Sequence, residues 1–385
     1  MAGRLLRRLT AAAGLCAAAT LPAQSDPAPP APGAIRVAAY NTALSRRAPG
    51  ALVQALRLGD DRQVAAVAEV VQRVRPDVIL LMEIDHDADG EALRLVAEAL
   101  RAGRNGAEGL DYPHRFTAPV NTGVQSGFDL DGDGETGGPG DAWGWGAFPG
   151  QYGMGLLSRL PLGPARTFRM LRWAAAPEAL IPRGHYPPEA EPMLRLSSKS
   201  HWDVSVDGGR LRLLASHPTP PVFDGPEDAN GRRNADELRF WGDYLDGAGW
   251  MADDAGVSGG YAGGPFVLLG DLNADPEDGD GRREAIRALL SHPVLQDPAP
   301  ISAGGRAAAS PDHAGPPGRD TADWRTARGP GALRVDYALP SAELAVTGSG
   351  VFWPAPDEPL ARLVGGPGKI VSSDHRLVWV DVVLP

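Results

Sequence analysis

The sequence predicts an α/β fold: one domain in which two sheets pack between helices. Three observations carry that expectation. Apolar runs of strand length alternate along the chain with segments whose apolar residues recur at helical spacing. Past the N-terminal leader no linker divides the chain convincingly into two units. In a chain of 385 residues, 43% apolar content is ample for one large core.

The elements follow in order. "IRVAAYN", residues 35–41, reads as a strand that ends on a polar residue. "DRQVAAVAEVVQRV" sets Val64, Val67, Ala68, Val71 and Val74 at helical spacing, with Asp60 as the expected N-cap and Pro76 as the stop. "DVILLMEID", residues 77–85, is a buried strand that again ends on acid. A helix over 90–102 and a strand at "HRFTAPV" lead into a Gly/Asp/Trp-rich insertion over 121–150. Strands follow at "GMGLLSR", "HWDVSV" and "RLRLLASH", then a helix over 235–245 and the strand "FVLLGDLN". A helix over 282–290, a Gly/Pro-rich loop over 303–330 and strands at "RVDYALP", "ELAVTGSGVFW" and "RLVWVDVV" complete the chain. No internal repeat interrupts this alternation.

Composition narrows the function classes. The contents of Gly (49) and Pro (37) point to long, turn-rich connections. A net charge of −11 argues against a protein that coats nucleic acid, because such affinity comes from Lys and Arg neutralising phosphates. It leaves room for a nuclease whose metal ion supplies positive charge locally. Arg4, Arg7 and Arg8 precede "LTAAAGLCAAATL", which is too short for a stable membrane anchor. Residues 1–23 therefore read as a signal peptide and 24–34 as a Pro-rich leader, with the domain over 35–385 and the protein exported to a periplasm or beyond the cell. The single cysteine, Cys16, falls within that signal, so the mature chain is expected to form no disulfide and to use no thiol chemistry. No later apolar run is long enough to span a bilayer, and no obligate protein partner is evident.

Chemistry concentrates where apolar runs stop. Asn41, Glu83, His217, Asp271 with Asn273, Asp336, and Asp374 with His375 all occupy such positions. In layered α/β folds the loops leaving the strand ends form the functional cleft. Carboxylate and amide oxygens suit Mg²⁺, Mn²⁺ or Ca²⁺, and the mature chain holds no thiolate for zinc. Two imidazoles without a G-x-S-x-G serine motif make water the expected attacking group. A divalent cation with imidazoles is a toolkit for phosphoryl transfer.

The motifs "YN" at Asn41, "LLMEID" at Glu83, "ASHPTPP" at His217, "LLGDLNADP" at Asp271 and Asn273, "RVDYAL" at Asp336 and "SSDHRLVWVDV" at Asp374 and His375 occur in one order. In that order they resemble the endonuclease/exonuclease/phosphatase family, over nearly all of the chain from residue 35. The resemblance implies a four-layer α/β sandwich with two mixed, mostly antiparallel sheets between helices. It implies that Glu83, Asn41 and Asp374 hold the metal, Mg²⁺ or Mn²⁺. It further implies that Asp271 and Asn273 orient the water and the phosphate, while His375, held in its tautomer by Asp336, contacts the scissile phosphate. His217 matches the histidine that helps protonate the leaving oxygen in the branch resembling secreted DNases and sphingomyelinases. The expected substrate is a phosphate ester, nucleic acid among the candidates. The alternatives are a phosphomonoesterase, a phospholipase C-type activity, or a non-catalytic calcium-dependent binding module on the same fold.

Two features of the insertion stand apart. "FDLDGDGETGGPGD" alternates Asp129, Asp131 and Asp133 before Gly134 and Glu135, matching the first half of an oxygen-ligand Ca²⁺ loop. Its twelfth position is Gly140 and not a ligand, which argues against an EF-hand and leaves a stand-alone Ca²⁺ loop or a plain solvated acidic turn. The other feature, "AWGWGAFPGQY", offers Trp143, Trp145, Phe148 and Tyr152 either as a substrate platform or as rings sealing the core.

Overall fold

The computed structural model describes residues 26–385; the signal peptide expected over 1–23 lies outside the described residues. Thirteen strands form two large sheets and one small hairpin. They are β1 (Ile35–Asn41), β2 (Val78–Met82), β3 (His114–Phe116), β4 (Met154–Ser158), β5 (Leu162–Thr167), β6 (His201–Val206) and β7 (Leu211–Ser216). Next come β8 (Phe266–Asp271), β9 (Ala322–Trp324), β10 (Gly331–Leu333), β11 (Asp336–Pro340), β12 (Ala345–Val351) and β13 (Val378–Val383). The helices are α1 (Ala51–Leu58), α2 (Arg62–Val74), α3 (Glu91–Arg101), α4 (Ala229–Leu245), α5 (Arg283–Leu290) and the short α6 (Ala303–Ala307).

One sheet runs β12-β13-β1-β2-β4-β3 and the other β11-β8-β7-β6-β5, with β9 and β10 paired apart. Only β1 with β2 and β7 with β8 are parallel; every other pair is antiparallel. Parallel neighbours need a crossover, and the helices supply it: α1 and α2 link β1 to β2, and α4 links β7 to β8. The sheets face each other through β1 and β13 against β8 and β11, α1 to α3 cover the outer face of the first sheet, and α4 with α5 cover the second.

This four-layer stack explains why the central strands read as continuous apolar runs. In β8, Val267 and Leu269 join the core between the sheets while Phe266 and Leu268 pack under α4 and α5. With both faces buried, alternation disappears from the sequence. An internal ion pair braces the first sheet. Arg36 of β1 meets both carboxylate oxygens of Asp381 in β13, at 2.7 and 2.8 Å, and donates to the Val74 and Ala28 carbonyls, so neither charge is left unpaired.

The structure moves several expected boundaries. Helix α2 is capped by Asp61, not Asp60: Asp61 Oδ1 accepts from the backbone N–H of Gln63 and Val64 at 2.9 and 3.1 Å. Arg75, in the left-handed conformation, ends it ahead of Pro76. Helix α4 starts six residues before the expected 235 because Asn234, fully buried inside it, donates to the Thr219 and Leu272 carbonyls at 2.8 and 3.0 Å. Helix α1 and the edge strand β5 were not anticipated from sequence. The first lacks a side-chain cap and the second carries Gly163 and Pro164, which dilute the strand pattern.

Candidate functional site

The sheet pairings bring the strand-end residues to one end of the sandwich. Asn41 and Asp271 are the last residues of β1 and β8, Glu83 follows β2, and His217 follows β7. Strand β11 runs antiparallel to β8 and starts at Asp336, paired with Asp271 in register. Asp374 and His375 precede β13, which runs antiparallel to β1. C-terminal ends of parallel strands thus meet N-terminal ends of antiparallel ones.

A buried hydrogen-bonded cluster results. His375 Nδ1 lies 3.0 Å from Asp336 Oδ2, and its Nε2 lies 3.7 Å from Asp271 Oδ2. Asn41 Nδ2 donates to Asp271 Oδ2 at 3.0 Å and to Glu83 Oε1 at 3.2 Å, and sits 3.4 Å from His375 Nε2. His217 Nε2 lies 3.4 Å from the same Asp271 oxygen, while its Nδ1 is buried without a partner. Glu83 and Asn273 adopt left-handed backbone at φ 57° and 51°, which is uncommon for residues with a side chain and clusters at functional sites. Asn273 is braced by its own N–H on Asp271 Oδ1 at 2.9 Å and by Nδ2 on the Pro218 carbonyl at 3.1 Å.

Electrostatics follow from this packing. Burial disfavours a charged His375, but Asp336 and Asp271 overcome it and raise the imidazole well above its ordinary pKa. Asp271 is also buried, yet His375, His217 and Asn41 hold its carboxyl well below the usual range. An imidazolium between two carboxylates is the neutral-pH form of this trio. His217 is pushed down to about 4 by burial and then by Lys199, so it is neutral there. Burial and then the nearby Asp374 raise Glu83, against the pull of His375 and Asn41.

Two carboxylates repelling each other at a half-buried rim are donors that a hard divalent cation fits, and Asn41, whose Nδ2 faces Glu83 while its Oδ1 accepts from the Ala43 N–H at 3.2 Å, would turn its amide to add an oxygen. Asp271, Asp336 and His375 also offer ligand atoms within 4.8 Å of one another, but Asp336 and His375 already satisfy each other. Glu83 and Asp374, both half-buried, form the freer pair.

Several contributors escaped the sequence reading. Trp324 Nε1 donates to Asp374 Oδ2 at 2.9 Å, and its ring meets His375 edge-on at 5.1 Å between centroids. The Thr321 hydroxyl accepts from the N–H of Asp336 at 2.9 Å. Ser373 Oγ donates to the Asn41 carbonyl at 2.7 Å and accepts from the N–H of His375 at 3.1 Å. Lys199 is buried nearby. Only its lysine identity, in a chain whose cations are nearly all arginine, marks it in the sequence.

The insertion divides. Trp145 is exposed and lies 6.1 Å from Tyr152, whose phenol is raised by burial and then by Glu83 and Asp85, so this pair borders the cleft. Trp143 does not join them. It is buried in the core of the second sheet's outer layer with the Arg195 guanidinium 5.2 Å over its ring, and Phe148 is buried as well. Asp129, Asp131 and Asp133 bring carboxylate oxygens within 4.8 Å of one another, and Glu135 lies outside that group. Asp141 is not directed at them: it accepts from the N–H groups of Leu130, Gly137 and Gly138 at 2.8, 2.8 and 2.9 Å and so folds the loop. A cavity of about 820 Å³ begins two residues past Glu83, lined by Asp85, His86, Arg115, Phe116, Phe148 and Arg169 among others.

These features describe a class: a two-sheet α/β sandwich of phosphoesterase type, with Asp/His groups able to hold a metal at one end of its strands. The model of the Endonuclease/Exonuclease/phosphatase family matches residues 38–375, and the chain belongs to that family. Among solved structures it resembles an endonuclease/exonuclease/phosphatase from Beutenbergia cavernae, at 21% identity, covering 91% of this chain and 72% of that one with a TM-score of 0.51. It also resembles sphingomyelinase C from Streptomyces griseocarneus, at 15% identity, covering 90% and 99% with a TM-score of 0.46. A third is the human Nocturnin catalytic domain with bound sulfate, at 15% identity, covering 92% and 95% with a TM-score of 0.45. No curated protein matches the chain. No helix among the described residues is long and apolar enough to cross a membrane.

Proposed function

We propose that this protein is an exported, divalent-metal-dependent hydrolase of phosphate esters, acting on phosphodiesters. The observation that carries the reading is the buried chain Asp336–His375–Asp271–Asn41, which opens onto the half-buried Glu83, Asp374 and Asn273 at one end of the sandwich. Glu83 and Asp374, with Asn41, would hold Mg²⁺ or Mn²⁺, which when bound supplies positive charge at the phosphate oxygens. His375, fixed at Nδ1 by Asp336, presents Nε2–H to charge that develops on the phosphate. Asp271 accepts the proton of the attacking water, which Asn273 helps to orient. His217, whose Nε2 lies 3.4 Å from the same Asp271 oxygen, would relay toward the leaving oxygen the proton that Asp271 takes up. Such a relay serves an ester whose alkoxide must be protonated as it departs.

The Trp145–Tyr152 pair and the adjoining cavity are where substrate beyond the phosphate is read. For the Asp129 loop we assign Ca²⁺ as the cation its three carboxylates suit, ordering the insertion. A calcium titration followed by melting temperature should stabilise the wild type and not Asp131→Ala; equal responses would remove the assignment.

The test of the main reading is turnover of bis-p-nitrophenyl phosphate, its monoester, plasmid DNA and sphingomyelin by the purified mature chain with Mg²⁺, Mn²⁺ or EDTA. Metal-dependent cleavage of the diester is expected, and the natural substrates then rank nucleic acid against lipid. Silence on every ester with a folded protein would leave the non-catalytic module as the better account. N-terminal sequencing of protein recovered outside the cytoplasm tests export.

A further inference from the structure

Lysine is almost absent from this chain. Of its 37 basic residues only two are lysines, Lys199 and Lys369, and the others are arginines. Lys369 lies exposed on a loop, whereas Lys199 is 6% exposed. A sequence that places arginine almost wherever it needs a cation thus has a lysine at a buried position beside its strand-end cluster.

The backbone there is held from two directions. Lys199 stands two residues before β6, whose antiparallel register with β7 pairs His201 with Ser216, the residue before His217. The Lys199 carbonyl accepts from the N–H of Asn121 at 3.1 Å. Its neighbour Ser198 and Thr219 both donate backbone N–H to the carboxylate of Glu237, at 2.9 and 2.7 Å, so one buried side chain of α4 ties the Lys199 segment to the His217 loop. The ammonium is treated differently: among the described residues no hydrogen bond or ion pair is made by it. Burial and the Arg233 guanidinium disfavour its charge, Glu237, Glu83 and Asp271 favour it, and it acts in turn on His217. Each of those three carboxylates already has hydrogen-bond donors of its own: backbone N–H groups for Glu237, Asn41 for Glu83, and Asn41 with the N–H of Asn273 for Asp271.

An ammonium on a side chain only 6% exposed, with no protein partner, is costly unless an anion completes it. The anion this cleft is built to receive is the phosphate of the substrate. We propose that Lys199 is a phosphate-contacting residue, its ammonium meeting a non-bridging oxygen of an ester phosphate seated between Glu83, Asp271 and His217. The proposal rests on the phosphoesterase reading above and adds a cation to it from the second sheet, on the side of His217. Lysine suits the task, since a compact point charge with three donors can follow the oxygens as the phosphorus inverts, where a planar guanidinium is tied to one fork geometry.

Two measurements on the full mature chain test it: binding of inorganic phosphate by calorimetry, and turnover of bis-p-nitrophenyl phosphate across a Mg²⁺ titration. For Lys199→Met, kcat should fall by roughly 10²–10³, as when one donor to a developing oxyanion is removed. Phosphate should bind at least about tenfold more weakly, a loss of about 1.4 kcal/mol. The Mg²⁺ concentration for half-maximal activity should not move, and Lys199→Arg should recover part of the loss. Should Lys199→Met fail to fold, Lys199→Gln carries the same comparison. A kcat within about threefold of wild type overturns the proposal. So does unchanged phosphate affinity with a shifted Mg²⁺ requirement, which makes Lys199 a counter-ion for Glu83 and Asp271. If the wild type cleaves no ester, the phosphoesterase reading fails, yet the phosphate titration still decides: weaker binding by the variant supports the contact, and equal or absent binding overturns it.

Discussion

Around His375 the structure gathers a carboxylate at Nδ1, an amide and a second carboxylate at Nε2, the edge of Trp324, and the Ser373 hydroxyl on its backbone N–H. On the proposed reading the ring is both positioned and charged by these neighbours, so removing it should cost far more than removing any one of them. His375→Ala is expected to lower kcat by roughly 10²–10⁴ with the melting temperature little changed, and Asp271→Asn by a similar factor. Asp336 acts through the ring, so Asp336→Asn should be damaging alone and nearly silent when added to His375→Ala. Full additivity in that double-mutant cycle would detach Asp336 from His375. Asp271, Asp336 and His375 were legible in the sequence because each interrupts an apolar run. Trp324, Thr321, Ser373 and Lys199 were not, because they sit in segments without periodicity and reach the cluster only through tertiary pairing.

Elements with a clear apolar run or stripe and a clean stop were readable to within a residue or two: β1, β6, α3 and α5 fall nearly where spacing placed them. Those whose start depends on a distant partner were not. Helix α4 begins in "ANGRRN", a poor helix former by propensity, because buried Asn234 and Asp236 are claimed by Thr219, Leu272, Trp173 and Leu180. The cap of α2 shows the same limit at a single step, since two aspartates stand side by side and only geometry chooses between them. Asp61→Ala removes two backbone contacts and the partner of Arg46, which lies 2.8 Å away, and should cost about 1–2 kcal/mol. Asp60→Ala should shift the urea midpoint by almost nothing. Equal losses in the two variants would mean the cap is shared.

At the scale of the molecule, stacking two sheets between helices buries titratable groups far from the cleft, and these shape how stability depends on pH. His201 of β6 is 1% exposed, its Nε2 meets the Glu237 carbonyl at 2.9 Å, and its ring lies 4.2 Å from Phe240. Burial holds its pKa down at about 3, against an ordinary value of 6.5, with the Glu237 carbonyl pulling the other way. Above 6.5 the ring is neutral in folded and unfolded chains, and its full contribution is present. As pH falls from 6.5 toward 3, the unfolded chain takes up a proton that the folded one refuses, so stability declines through that window. Asp320 runs opposite: burial, then Asp275 and Asp278, lift it to about 8 from 3.8, so its contribution is complete below 3.8 and fades as pH rises toward 8. Their slopes oppose each other between 3.8 and 6.5. Replacing one group should therefore expose the other. His201→Gln keeps a donor for the Glu237 carbonyl and an acceptor for Ser197 while removing the titration. In EDTA, so that no bound cation adds its own proton linkage, the wild type should lose on the order of 2 kcal/mol between pH 6.5 and 4.5 from this group, since each unit corresponds to ~1.4 kcal/mol. The variant, less stable at pH 7.5, should show a flatter profile or one that rises as the pH falls, and Asp320→Asn should steepen it. Parallel profiles for wild type and His201→Gln would show that acid sensitivity arises elsewhere, with the strand-end cluster and its own buried histidine, His217, the next place to measure.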